Sequence, residues 1–136
     1  MTTAVDTSVL LDILIDDPSF AGNSERALKE AVLRGRVVVS ECVIAEVRPA
    51  FQDDSEVGAL LTDLGLEFIA SSLESALMAG EMYKKYVQNQ GASKRVLPDF
   101  LIAAHALVHA DALLARDRGY YREYFSDLEL IDPGAG

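Results

Sequence analysis

The sequence predicts an α/β domain, a parallel five-stranded sheet covered on both faces by helices. Three observations carry this expectation. Short apolar runs alternate with helix-length segments of amphipathic spacing along the whole chain. The runs at 37–39 and 112–115 are apolar at every position, as strands buried on both faces are. Gly, Pro and polar clusters fall between the segments, and no low-complexity tract or repeat interrupts them. At 136 residues the chain suffices for one domain with a real core. The domain is expected over residues 1–132, with 133–136 as a fraying tail.

Each element has its own local reason. Residues 3–5 read as a short strand ending at Asp6, and 8–15 are apolar at helical spacing. Asp16, Asp17, Pro18 and Ser19 break that helix, and a second one runs to about Arg34, where Gly35 suits its end. After the strand at 37–39, Ser40 reads as the N-cap of a helix that stops near Arg48, because Pro49 disfavours helical geometry in the residue before it. Asp53 or Asp54 caps a helix closed by Gly65, and 66–69 form a third strand. Ser71 or Ser72 opens a long helix to about Gln90, and the polar, basic residues 89–97 read as a loop. Pro98 suits the first turn of a helix reaching His109. A fourth strand at 112–115, a short helix at 119–125 and a fifth strand at 128–131 complete the series.

Composition narrows the function. The net charge of −10 excludes a generally basic protein that coats nucleic acid. The single Cys42 excludes a disulfide framework and a cysteine-rich zinc module. The longest apolar stretch, 100–115, is interrupted by His105, His109 and Asp111, so no membrane span or membrane partner is expected. The N-terminus lacks the pattern of a signal peptide, which makes the cytoplasm the expected location. The charge is uneven: residues 1–83 carry −10, residues 84–122 carry +4 and residues 123–136 carry −4.

In open parallel sheets, sites form beyond the carboxyl ends of the strands. Asp6 follows the first strand directly, and Asp117 follows the fourth by about two residues. Glu46 lies in the helix after the second strand, and Asp99 sits in the first turn of the helix opened by Pro98. Four carboxylates meeting at one sheet end repel each other, and a hard divalent cation relieves that repulsion. Oxygen-only ligands suit Mg²⁺ or Mn²⁺. Each acid also has a plain structural reading: Asp6 as a helix cap, Asp99 as a helix-dipole partner, Asp117 as a turn residue, Glu46 as the polar position of its turn.

Four stretches, 5–12 (VDTSVLLD), 40–47 (SECVIAEV), 97–106 (LPDFLIAAHA) and 113–125 (LLARDRGYYREYF), resemble the four blocks of PIN-domain ribonucleases, above all the VapC-type toxins of type II (VapBC) toxin–antitoxin pairs. The resemblance implies a three-layer α/β/α fold with strand order 3-2-1-4-5. It implies an acidic quartet of Asp6, Glu46, Asp99 and Asp117 that binds Mg²⁺ or Mn²⁺ and serves catalysis, with Ser8 as the small hydroxyl residue supporting the metal site. The implied activity is hydrolysis of RNA phosphodiester bonds, which inhibits translation and growth. The implied partners are an RNA substrate, a VapB-like antitoxin and a second copy in a homodimer. One departure stands out: Ala115 occupies the place where many relatives carry Thr.

The positive segment offers phosphate contacts in Lys94, Arg95, Arg116 and Arg118. Tyr120, Tyr121 and Tyr124 either stack on bases or pack against the domain. His105 and His109 stand four apart on one helix without a zinc-protease Glu, which favours structural roles. Cys42 and the Met78–Met82 pair read as packing, and Asp12, Asp16 and Asp17 as solvated charges or a helix end. Apolar residues in 9–14, 27–32 and 57–61 belong either to the core or to a groove for an antitoxin tail. The alternatives are a PIN nuclease of RNA processing and a catalytically silent PIN interaction module. A haloacid-dehalogenase-type phosphotransferase would need a second Asp where Ser8 stands.

Overall fold

The computed structural model describes residues 1–90, 96–116 and 119–135. Five strands form one sheet: β1 (Thr3–Val5), β2 (Val37–Val39), β3 (Leu66–Phe68), β4 (Ala112–Leu114) and β5 (Leu130–Ile131). The order is β3-β2-β1-β4-β5 and every pairing is parallel. Thr3 faces Val37 on one side and Ala112 on the other, so the carboxyl ends of β1 and β4 lie level. The chain winds outward from β1 through β2 and β3, then crosses back to β4. The crevice between β1 and β4 is therefore the switch point of the sheet.

The helices are α1 (Thr7–Leu14), α2 (Ala21–Arg34), α3 (Glu41–Val47), α4 (Asp54–Leu64), α5 (Leu73–Gln90), α6 (Leu97–His109) and α7 (Tyr120–Tyr124). Helices α1 and α2 pack together, and so do α5 and α6. The predicted punctuation operates as expected at most boundaries. Asp53 caps α4, accepting from the Glu56 amide at 3.1 Å. Gly65 ends α4 in the left-handed region at φ 69°. Gly35 follows α2 at φ 151°, where a Cβ would run into the Met1 carbonyl oxygen. Pro49 stops α3 at Val47, and a 3₁₀ turn over Arg48–Ala50 follows. Ser40 stands at the N-cap of α3, yet its hydroxyl makes no capping bond and is buried without a partner among the described residues.

The three inner strands β1, β2 and β4 are buried at every position, whereas Phe68 on β3 is half exposed. This is the difference between the middle and the edge of a sheet. Phe100 on α6, wholly buried, gathers Tyr83 and Tyr86 of α5 with Tyr124 and Phe125 at ring distances of 5.4 to 6.1 Å. These offset and edge-on contacts fix the first turn of α6, where Asp99 sits. The Tyr121 and Tyr124 side chains are buried in the domain, so of their two sequence readings packing is the one observed. Pro133–Ala135 forms a 3₁₀ turn against α2, with Pro133 buried.

Candidate functional site

Asp6 is the residue after β1 and the N-cap of α1, so its reading as a helix cap is the one observed. Its amide donates to the Leu114 carbonyl at 2.9 Å, which ties the end of β1 to the end of β4. The carboxylate is only 1% exposed. Oδ2 accepts from the Ser8 hydroxyl at 2.5 Å and the Ser8 amide at 3.2 Å. Oδ1 accepts from the Tyr121 hydroxyl at 3.2 Å. These donors are uncharged, so they orient the carboxylate without neutralising it.

Three of the four predicted acids line one cleft of about 260 Å³, with Thr7, Ser8, Asp12, Asp17 and Arg116 around them. Asp99 lies buried in the first turn of α6, where amide N–H groups and the helix dipole favour a negative charge. Glu46 on α3 is exposed and accepts from the Thr7 hydroxyl at 2.7 Å, which fixes one of its oxygens. Ser8 stands beside Asp6 as described. Asp117, Lys94, Arg95 and Arg118 lie outside the described residues, although Asp117 directly follows Arg116 of the cleft. Among the described residues no three His, Cys, Asp or Glu side chains stand close enough to hold a metal ion by themselves. The donor set is all oxygen and acidic, which fits a hard cation rather than zinc.

Two polar contacts of the site escaped the sequence reading. Tyr121 bonds Asp6 across 115 positions of chain, a pairing that no local pattern encodes. Thr7 follows Asp6 directly, and its helix-start position gave no hint of Glu46, 39 residues away. Asp12 corrects an expectation: it is no solvated charge but is 2% exposed. Its oxygens accept from Arg116 Nη2 at 2.9 Å and from the Ser24 hydroxyl at 2.8 Å. The spacing carried a signal, because a residue four after Ser8 lies on the same helix face. Asp17 is likewise engaged, its Oδ1 accepting from the Ser19 and Phe20 amides at 2.8 and 3.0 Å in a turn. The predicted phosphate contact Arg116 pairs with Asp12, and its Cζ lies 4.2 Å from the centre of the Phe20 ring.

Away from the cleft, α6 carries a buried His105 whose Nε2 donates to the Ile69 carbonyl at 2.7 Å. Burial pushes its pKa down, helped by His109 and opposed by the bond to Ile69 and by Glu41. Burial also raises the Cys42 thiol to about 11, with Glu41 and Glu46 adding to the effect. A value this high disfavours the nucleophilic thiolate.

A second concavity of about 490 Å³ is apolar, lined by Ile13 of α1, Leu28, Val32 and Leu33 of α2 and Leu64 of α4. Glu25, Lys29 and Asp63 complete its lining. Of the three stretches read as groove or core, 9–14 contributes Ile13 and 27–32 contributes Leu28 and Val32.

Comparison with known proteins gives a consistent picture. The family model described as "PIN domain" matches residues 3–125. No curated protein matches the sequence. Among solved structures, VapBC2 from Rickettsia felis, bound to a DNA fragment from its promoter, aligns with a TM-score of 0.70 at 20% identity, covering 97% of this chain and 98% of that one. VapBC-1 from nontypeable Haemophilus influenzae aligns at 0.67 and 21%, covering 98% of each chain. FitAcB from Neisseria gonorrhoeae aligns at 0.64 and 21%, covering 96% of this chain and 97% of that one. At these identities the likeness establishes a shared fold.

Proposed function

Because the chain belongs to the PIN-domain family, we propose that it is a divalent-metal-dependent endoribonuclease, the VapC-type toxin of a toxin–antitoxin pair acting in the cytoplasm. The observation that carries the reading is the meeting of Asp6, Glu46 and Asp99 in one cleft at the switch point of the sheet. Asp6, Asp99 and Asp117 would hold Mg²⁺ or Mn²⁺, with Glu46 completing the set directly or through water. A bound cation supplies charge that offsets the carboxylates and activates water for in-line attack on phosphorus.

The chain's own residues provide the orientation. Ser8 and Tyr121 fix both oxygens of Asp6 before any ligand arrives. Thr7 fixes one oxygen of Glu46 and leaves the carboxylate at the exposed mouth of the cleft. Arg116 lies in the cleft as a phosphate contact, and Lys94, Arg95 and Arg118 are further candidate phosphate contacts of the same positive stretch of sequence. Ala115, wholly buried in an apolar setting, supplies no hydroxyl at the end of β4, and the Ser8 hydroxyl is the one that reaches the Arg116 amide, at 3.4 Å.

The apolar groove suits the apolar side chains of a VapB-like antitoxin segment, which is the kind of partner the VapBC neighbours point to. A homodimer belongs to the same reading, and sedimentation of the purified chain tests it. No helix among the described residues is long and apolar enough to cross a membrane. The test of function is cleavage of an RNA pool by the purified chain with Mg²⁺ or Mn²⁺. Cleavage is expected to stop in EDTA and with Asp99→Asn; full activity in EDTA would refute the proposal.

A further inference from the structure

Asp12 has no part in the chemistry above, yet it is among the most buried charges of the molecule. An unpaired carboxylate in that position is costly, so its partners define its purpose. The Ser24 hydroxyl holds Oδ2 and orients the group, and Oδ1 grips Arg116 Nη2. The guanidinium also lies over the Phe20 ring, a ring that the Asp17 turn sets in place. The backbone of Arg116 is pinned separately, its amide donating to the Ser8 hydroxyl.

Arg116 is thus held at its backbone, one flat face and one edge, while a third of its side chain stays exposed in the cleft that holds Asp6, Glu46 and Asp99. A guanidinium carries five N–H donors in one plane, and the bond to Asp12 uses an Nη2 proton. Nε is buried without a partner among the described residues. An arginine clamped in this way has already lost the rotamer freedom that a phosphate would otherwise have to remove.

We propose that Asp12 is a positioning residue that holds the Arg116 guanidinium in the cleft to receive a phosphate of the RNA strand. The inference rests on the reading of the cleft as an RNA-cleaving centre. Asp12 acts only through Arg116. The opposing view is that Asp12 merely cancels the charge of Arg116, and it predicts the opposite sign: removing the carboxylate would then tighten RNA binding.

Steady-state cleavage of a short single-stranded RNA with Mn²⁺ separates the two, with KM and kcat read for wild type, Asp12→Asn, Arg116→Ala and the double variant. Arg116→Ala is expected to raise KM about 10-fold, as loss of a charge-assisted hydrogen bond does. It should also flatten the log–log salt dependence by about 0.7, the mark of one lost phosphate contact on a single strand. Asp12→Asn should raise KM about 3-fold or more with kcat nearly unchanged, and the double variant should be no worse than Arg116→Ala because the two act as one unit. A KM for Asp12→Asn equal to or below wild type overturns the proposal, as does a fall confined to kcat. Should Asp12→Asn fail to fold, Phe20→Leu removes the flat ring and must raise KM in the same direction, or the proposal fails. Wild-type protein that cleaves no RNA with Mn²⁺ overturns the nuclease reading itself, a result distinct from active enzyme with an indifferent Asp12.

Discussion

Helix α1 borders two concavities of opposite character. On one side it presents Thr7, Ser8 and Asp12 to a small polar cleft; on the other it presents Ile13 to a larger apolar groove. In the cleft Asp6 and Asp12 are buried and oriented in advance, Asp6 by Ser8 and Tyr121 and Asp12 by Ser24 and Arg116. At the groove's rim apolar side chains are left open to solvent, with Leu33 86% exposed and Val32 41%. Pre-bonded polar groups suit a site that does chemistry, because their orientation costs nothing at the moment of reaction. Bare apolar side chains suit a site that gains its binding energy when a partner covers them. Through α1, a segment seated in the groove lies one helix away from the acids.

The largest effect should come from the cleft. Asp6→Asn keeps the shape and the capping oxygen but removes the charge, and cleavage should fall by more than about 100-fold, beyond the cost of losing a supporting residue around a metal. Circular dichroism should show the fold unchanged, and affinity for the proposed VapB-like antitoxin should stay at the wild-type level. Loss of that affinity together with activity would merge the two regions into one.

The groove gives the next effect. Leu33→Glu alters an exposed side chain, so stability and intrinsic cleavage should hold. Affinity for the proposed antitoxin should fall about 10-fold or more, as at a binding hot spot. Titrating that protein against RNA cleavage reads both numbers at once. Unaltered inhibition of Leu33→Glu would remove the groove from the partner's footprint.

How much of this was legible in the sequence depends on how far apart the interacting residues lie. The boundaries at Gly35, Pro49, Gly65 and Pro98 follow from the backbone chemistry of single residues, and each stands at or next to the predicted end of its element. Strands β3, β4 and β5 are each one or two residues shorter than expected, although Ile69 still donates to the Val39 carbonyl and Glu129 still accepts from the Leu113 amide. Asp6 and Asp99 could be singled out because strand ends and helix starts are local features, and Glu46 because it lies in the helix after the second strand. The bonds from Tyr121 to Asp6 and from Arg116 to Asp12 join residues more than 100 positions apart, and they arise only once β1 and β4 pair. Asp12 looked solvated for that reason.

The smallest effect belongs to a region that serves neither concavity. His105 lies six residues beyond Asp99 on α6 and anchors that helix to Ile69, the residue after β3. A carbonyl can only accept, so Nε2 of the buried ring carries a proton. Its pKa lies below the ordinary value near 6.5, chiefly through burial, with His109 lowering it further and Glu41 and the Ile69 carbonyl opposing. Well above pH 6.5 neither the folded nor the unfolded chain binds this proton, and His105 adds no pH dependence. As the pH falls below that value the unfolded chain takes up the proton first, so stability should decline until the folded-state pKa is passed. His105→Gln should abolish that part of the decline at a cost of about 1–3 kcal/mol from the altered bond and packing. Urea unfolding between pH 5 and 8 measures both. Because α6 carries Asp99 to the cleft but contributes nothing to the lining of the groove, the folded fraction of His105→Gln should keep wild-type affinity for the groove's partner. A selective loss of that affinity would show that the two concavities are coupled through the core and not only through α1.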